Sequence, residues 1–159
     1  MPNDKTIEYL NKALKMELTA AHQYQLHAHV LEDWGLVGLA AKMREEMAEE
    51  LGHSDAFLAR LVFLKGDPDM AFENPPKKAE SLAGMFKSDL TDEEDALTFY
   101  TKAAAHAGEV GDIGTRKLFE TIALDEEGHK AWLELQLDLI DRLGEPLYTT
   151  RFLGDDSED

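Results

Sequence analysis

Two short segments of the chain carry the same acid and imidazole spacing. Glu50 and His53 stand in Glu49-Glu50-Leu51-Gly52-His53, and Glu126 and His129 in Asp125-Glu126-Glu127-Gly128-His129, an offset of 76 residues. With 18 Glu and 6 His in 159 residues, chance alone supplies roughly 0.7 Glu-x-x-His pairs, so a single pair would mean little. Here the flanks repeat at the same offset: Met43, Phe57, Leu61 and Leu64 correspond to Phe119, Leu133, Leu137 and Ile140. Upstream, Leu14, Glu17 and Tyr24 correspond to Leu90, Glu93 and Tyr100, and each of Glu17 and Glu93 precedes its Glu-x-x-His glutamate by 33 residues. At helical period, Glu50/His53 and Glu126/His129 fall on the same face as these apolar residues. They are core positions.

Equal offsets in two antiparallel hairpins put Glu17, Glu50, Glu93 and Glu126 at one level, together with His53 and His129. Four carboxylates in an apolar core are prohibitively costly unless something neutralises them. Most of the 16 basic residues lie off these faces, which leaves a pair of divalent cations as the simplest neutraliser. There is no cysteine, so any metal here meets oxygen and imidazole only. One Glu from each of two helices plus Glu-x-x-His from each of two others matches the ligand set of ferritin-like di-iron and di-manganese carboxylate bundles. Iron and manganese are not distinguished by these ligands.

Such a site needs four long helices, and the punctuation of the chain supplies them. Prolines occur only at positions 2, 68, 75, 76 and 146, leaving proline-free blocks 3–67 and 77–145. Asp33-Trp34-Gly35-Leu36-Val37-Gly38 divides the first block into helices over 4–33 and 37–65, and Gly108-Glu109-Val110-Gly111-Asp112 divides the second into helices over 81–107 and 112–143. Residues 67–80 are long enough to run along a whole helix. The predicted fold is all-α: a ferritin-like four-helix bundle with a long crossover between the second and third helices and a short fifth helix near LYTTRFL. The domain spans 1–153, and the acidic end 154–159 is expected to be disordered.

Other residues are read more plainly. His22, His27, His29 and His106 do not repeat and are taken as surface or subunit-contact histidines rather than ligands. Tyr24 and Tyr100 lie two turns beyond Glu17 and Glu93, where a buried hydroxyl satisfied by a carboxylate and an electron-donating role are both open. Glu46, four residues before Glu50, is a candidate acid on the path of incoming ions, whereas Glu45 and Glu49 are placed on an outer surface. Trp34 and Trp132 read as packing anchors. Gly108, Gly111 and Gly114 follow no strand, so they do not form a nucleotide loop.

Composition narrows the classes further. With 33 acidic against 16 basic residues and a formal charge of −17, the chain repels phosphate backbones and anionic lipid and attracts small cations. Neither nucleic acid nor a membrane is an expected partner. The start MPNDKTIEYL lacks the plan of a secretion signal, and the expected location is the cytoplasm.

The segments IEYLNKALKMELTAAHQY, DWGLVGL, EELGHSD followed by FLKG, SDL before Glu93, and DEEGHKAWLE with LDLI resemble bacterioferritins over about residues 5–152. The resemblance implies a ferroxidase centre in which Glu17 and His53 hold one iron, Glu93 and His129 hold the other, and Glu50 and Glu126 bridge them. It also implies a hollow shell of about 24 subunits that stores ferric mineral. One departure concerns haem, which bacterioferritins bind through a methionine directly after the bridging glutamate; here that position is Leu51. Leucine offers iron no lone pair, which speaks against haem in the family's usual manner and leaves Met43 or Met47 as the remaining candidates. A second departure is Glu45, where some relatives have histidine. The missing methionine raises co-assembly with a haem-binding sister subunit.

The function expected is iron storage and detoxification: Fe(II) is oxidised by O2 or H2O2 at two irons per subunit, in a homo-oligomer or a mixed shell. The alternative is a small-oligomer di-iron or di-manganese oxidoreductase without storage. Rubrerythrin is disfavoured by the absence of cysteine, and the DNA-protecting mini-ferritins by the four-helix ligand set.

Overall fold

The computed structural model describes residues 3–154. Five helices and a terminal 3-10 turn make up its regular structure: α1 (Asp4–Asp33), α2 (Val37–Phe63), α3 (Leu82–Glu109), α4 (Ile113–Leu143), α5 (Glu145–Thr149) and the turn Thr150–Phe152. The four long helices and the short fifth one agree with the sequence expectation, with boundaries shifted by one or two residues. Two of the shifts have a capping cause. Ser81 and Asp112 stand just outside α3 and α4, where their side chains accept from Gly84 N and Thr115 N. α2 stops at Phe63, and Lys65 takes φ 63° in the turn that follows.

The sequence repeat extends to the turns. Gly35 (φ 80°) and Gly111 (φ 75°) occupy left-handed backbone, which only glycine adopts at no steric cost. Around them the amides of Leu36 and Asp112 reach back to the carbonyls of Leu31 and Ala107, both at 2.8 Å. These closures make α1–α2 and α3–α4 antiparallel hairpins. The crossover then climbs along α1: Asp69 N and Asp67 O bond Asn11, Glu73 N bonds Thr19 Oγ1, and Lys77 is held at both N and O by Gln23. It thereby returns the chain to start α3 beside the end of α1. The C-terminal turn comes back to the first hairpin, where Gly154 N donates to Gly35 O at 3.0 Å.

Two apolar clusters fill the bundle. One gathers Leu31, Leu39, Met43, Met85, Phe86, Leu133 and Tyr148, with Trp34 and Trp132 packed against its edge. The other gathers Leu10, Leu14, Phe57, Leu61, Tyr100, Phe119 and Ile122. Four buried glutamates and two histidines form a polar layer within the same bundle.

Candidate metal centre

Each hairpin contributes three members to that layer. Glu17 comes from α1, Glu50 and His53 from α2, Glu93 from α3, and Glu126 and His129 from α4. The ligand atoms of Glu17, Glu50, His53 and Glu126 lie within 4.8 Å of one another, and so do those of Glu50, Glu93, Glu126 and His129. All six residues expected from the sequence are thus brought together, and Glu50 and Glu126 belong to both groups.

One atom of each of these residues has no hydrogen-bond partner: Oε2 of Glu17 and Glu93, Oε1 of Glu50 and Glu126, and Nδ1 of both His53 and His129. Buried polar atoms are rarely left so, and six on one level form a donor set of oxygen and imidazole suited to divalent transition ions. Both histidines turn Nδ1 inward: that of His53 is 3.0 Å from Glu126, and that of His129 is 3.2 Å from Glu50. Their Nε2 atoms face away, to Asp125 at 2.9 Å and Glu49 at 2.8 Å respectively.

The tyrosines cross between hairpins. Tyr24 on α1 donates to Glu93 on α3, and Tyr100 on α3 donates to Glu17 on α1, both at 2.6 Å. Burial, reinforced by these glutamates, raises both phenols well above their ordinary value, so they remain hydrogen-bond donors at neutral pH. Burial likewise lifts Glu50 and Glu93 well above the usual carboxylate range, helped by Glu17 and by Glu126 respectively. Burial would raise Glu126 too, but the close approach of Glu93, His129, His53 and Glu50 holds it well below. For His53 and His129 burial opposes charge, and the surrounding carboxylates, Glu126 first, override it and hold both imidazoles far above their normal value. Protons therefore neutralise the cluster when cations do not.

A cavity of about 480 Å³ opens between α1 and α3 beneath the crossover. Glu17, Tyr24, Glu50, Glu93, Tyr100 and Glu126 line it, along with Glu73, Asp92 and Asp95. Acids thus share the cavity wall with Lys12, Lys77 and apolar residues such as Met16 and Phe99.

Several other residues sit differently from expectation. His27 is not on the surface: it is buried, with Nε2 2.9 Å from Asp89 Oδ1 in an equally buried pair. Its spacing from Glu17 and Tyr24 along the inward face of α1 carried that signal, but the absence of a repeat partner hid it. His22 and His29 are exposed as expected, and His106 is half-buried against Tyr9, 5.2 Å between ring centroids. Glu46 is buried, 2.9 Å from Lys42 and 2.6 Å from His129 Nε2, and with Glu49 and His129 forms a further group able to hold a cation. Glu45 is exposed. Glu49 starts from an exposed position, as expected, but its carboxylate reaches inward to His129. Met43 is fully buried in the core and Met47 is half-buried against it, whereas Leu51 is 42% exposed. The acidic end expected to be disordered lies, from residue 155, outside the described residues.

Residues 7–143 match the family model of the ferritin-like domain. A bacterioferritin of Rhodobacter capsulatus is 46% identical over 140 residues, 88% of this chain and 87% of that one. One of Brucella melitensis is 40% identical over 144 residues, 91% and 89% of the two chains. The chain belongs to the bacterioferritin family. Among solved structures of the family, that of the Rhodobacter capsulatus protein superposes with a TM-score of 0.94 at 42% identity, covering 98% of this chain and 97% of that one. That structure has a metal-free dinuclear site and a haem iron in a crystallographic special position. Mycobacterium tuberculosis bacterioferritin superposes with a TM-score of 0.92 at 34% identity, covering 95% of each chain. Among the described residues no helix is long and apolar enough to cross a membrane.

Proposed function

We propose that the chain stores iron in the manner of its family and oxidises Fe(II) at the paired site before storage. The observation that carries this reading is the set of six unpartnered ligand atoms on Glu17, Glu50, His53, Glu93, Glu126 and His129, arranged as two groups that share Glu50 and Glu126. Glu17 and His53 would hold one Fe(II), Glu93 and His129 the other, with Glu50 and Glu126 between them. Two adjacent Fe(II) ions give up two electrons together, reducing O2 with two protons to H2O2, or H2O2 with two protons to water. Carboxylate oxygens favour the ferric product, and the imidazoles retain affinity for the ferrous substrate. Tyr24 and Tyr100 orient Glu93 and Glu17 through their 2.6 Å hydrogen bonds. Glu46 is proposed as a holding point for ions that pass behind His129.

The chain then assembles into a shell of about 24 copies in the cytoplasm, whose acidic charge concentrates cations for mineral growth. Haem through position 51 is not part of this reading, because Leu51 has no donor atom; a methionine-bearing sister subunit in the same shell would supply it. The test is stepwise Fe(II) addition in air, followed by size-exclusion chromatography with in-line iron detection. Iron far above about two ions per chain should co-elute with a large shell, and Glu126→Ala or His129→Ala should abolish rapid oxidation while leaving the shell intact. Binding that stops at two ions on a small oligomer, or wild-type oxidation rates in both variants, would refute the proposal.

A further inference from the structure

The offset of 76 residues relates one more pair of side chains, Glu49 and Asp125, each directly before a shared glutamate. Both carry exposed side chains, at 42% and 44%, and by composition they belong to the solvated acidic surface. Their carboxylates do not stay there. Asp125 leaves α4 to accept from Nε2 of His53 on α2, at 2.9 Å, and Glu49 leaves α2 to accept from Nε2 of His129 on α4, at 2.8 Å. Each acid braces the histidine of the opposite helix, so the two bonds cross.

A neutral imidazole, the form that binds a metal, donates through one nitrogen and presents the lone pair of the other. A carboxylate on Nε2 therefore fixes both the ring's rotation and the nitrogen offered to a metal. In both histidines that nitrogen is Nδ1, the one without a partner, turned toward the glutamates. We infer that Glu49 and Asp125 are positioning residues that clamp His129 and His53 in the ligating orientation, and that only the Glu49 clamp has a substitute. The substitute is Glu46, whose carboxylate lies 2.6 Å from His129 Nε2 but off the direction of its N–H bond, which points to Glu49. At the corresponding place on α4 the residue is Ile122, buried and without an acceptor. If Asp125 is lost, the carboxylate left beside His53 on that face is that of Glu49, grouped with His53 and Asp125 within 4.8 Å but already committed to His129 Nε2. The repeat thus makes the ligand set symmetric, while the surroundings make the His53 position the fragile one.

The inference rests on the proposed metal centre, and anaerobic Co(II) titration of the assembled full-length protein separates the two. Co(II) absorption bands report ligation without any oxidation, and thermal unfolding of the metal-free form reports structural damage. Wild type should bind two Co(II) per chain at the centre; if it does not, the metal-centre reading fails and the inference falls with it. Given that binding, Asp125→Ala should weaken one of the two ions by about 10- to 100-fold with the metal-free melting temperature unchanged. Asp125→Asn, which keeps an acceptor oxygen, should restore affinity to within about threefold of wild type. Glu49→Ala alone should cost less than about threefold, and the double variant Glu46→Ala/Glu49→Ala as much as Asp125→Ala. The inference is overturned if Asp125→Ala binds both ions within about twofold of wild type, or if the Ala and Asn variants lose affinity equally, which assigns the effect to charge. Loss of a third, peripheral Co(II) with the central pair unaffected overturns it as well.

Discussion

Loading the centre with divalent ions should expel about two protons per ion. The number follows from the metal-free cluster. The carboxylates around them shift His53 and His129 toward the protonated form and burial does the same for Glu50 and Glu93, whereas Glu126 is shifted toward the ionised form. Two imidazolium and two carboxyl protons make about four, and two divalent ions bring the same positive charge. The exchange leaves the buried layer electrically unchanged, which is why the layer tolerates both states. Calorimetric titration with Co(II) under nitrogen, at pH 7 in buffers of differing ionisation enthalpy, yields the proton count from the slope of heat against buffer enthalpy. The sign with pH is set by the same groups. Their proton affinities are raised, so lowering pH favours the protonated cluster, and affinity should fall by about 100-fold per ion for each pH unit. Release of fewer than about 0.5 proton per ion, or affinity independent of pH, would refute the charge-exchange reasoning.

The same raised groups make the metal-free protein lose stability as pH rises. Protonated in the folded state and with unfolded values near 4.3 for Glu and 6.5 for His, they stabilise the fold most at low pH, and that contribution is lost as pH climbs toward their folded values. The melting temperature of the metal-free protein should therefore decline from pH 6.5 to 9, and Co(II) loading should flatten the decline; an unchanged slope on loading speaks against it. His27→Ala should lower stability by about 3–5 kcal/mol by leaving Asp89 buried and unpaired. The double variant His27→Leu/Asp89→Leu should recover most of that loss in chemical denaturation, and equal losses in the two would show that the pair is not the cause. Asp112→Ala should cost about 2 kcal/mol, because Asp112 caps α4 and accepts from Arg60 at 2.6 Å; a denaturation midpoint equal to wild type would contradict this.

The fold and the buried cluster of glutamates and histidines were legible in the sequence because both are written twice. A repeat of Glu17, Glu50 and His53 at Glu93, Glu126 and His129 fixes the helical phase, the hairpin register and the common level at once, and the paired glycines 35 and 111 mark the turns. Features written once were harder to read. His27 and Asp89 are 62 residues apart and meet only because the crossover returns α3 antiparallel to α1. Glu46 was legible as a residue of the inward face, and its ion pair with Lys42 lies within α2 at i,i+4, but its contact with His129 depends on the packing of α2 against α4. Glu49 and Asp125 repeat, yet their exposed positions hide where their carboxylates go. Sequence periodicity reports the direction in which a side chain leaves its helix. It does not report where a long side chain ends.

Pseudo-symmetry explains why those singly written residues matter. A duplicated hairpin by itself produces two equivalent ligand groups: Tyr24 and Tyr100 exchange glutamates across the bundle, and Glu50 and Glu126 belong to both groups. Every departure from the repeat acts on this equivalence. Glu46 stands against Ile122, which adds a carboxylate and Lys42 behind His129 and none behind His53. The pair His27–Asp89 lies on the Tyr24 side, and burial followed by the charges of Glu93 and Asp89 raises that phenol. At Tyr100 the corresponding influences, after burial, are Glu17 and Glu126. The repeated residues bring two similar ligand groups together, and the unrepeated ones give the two groups different surroundings.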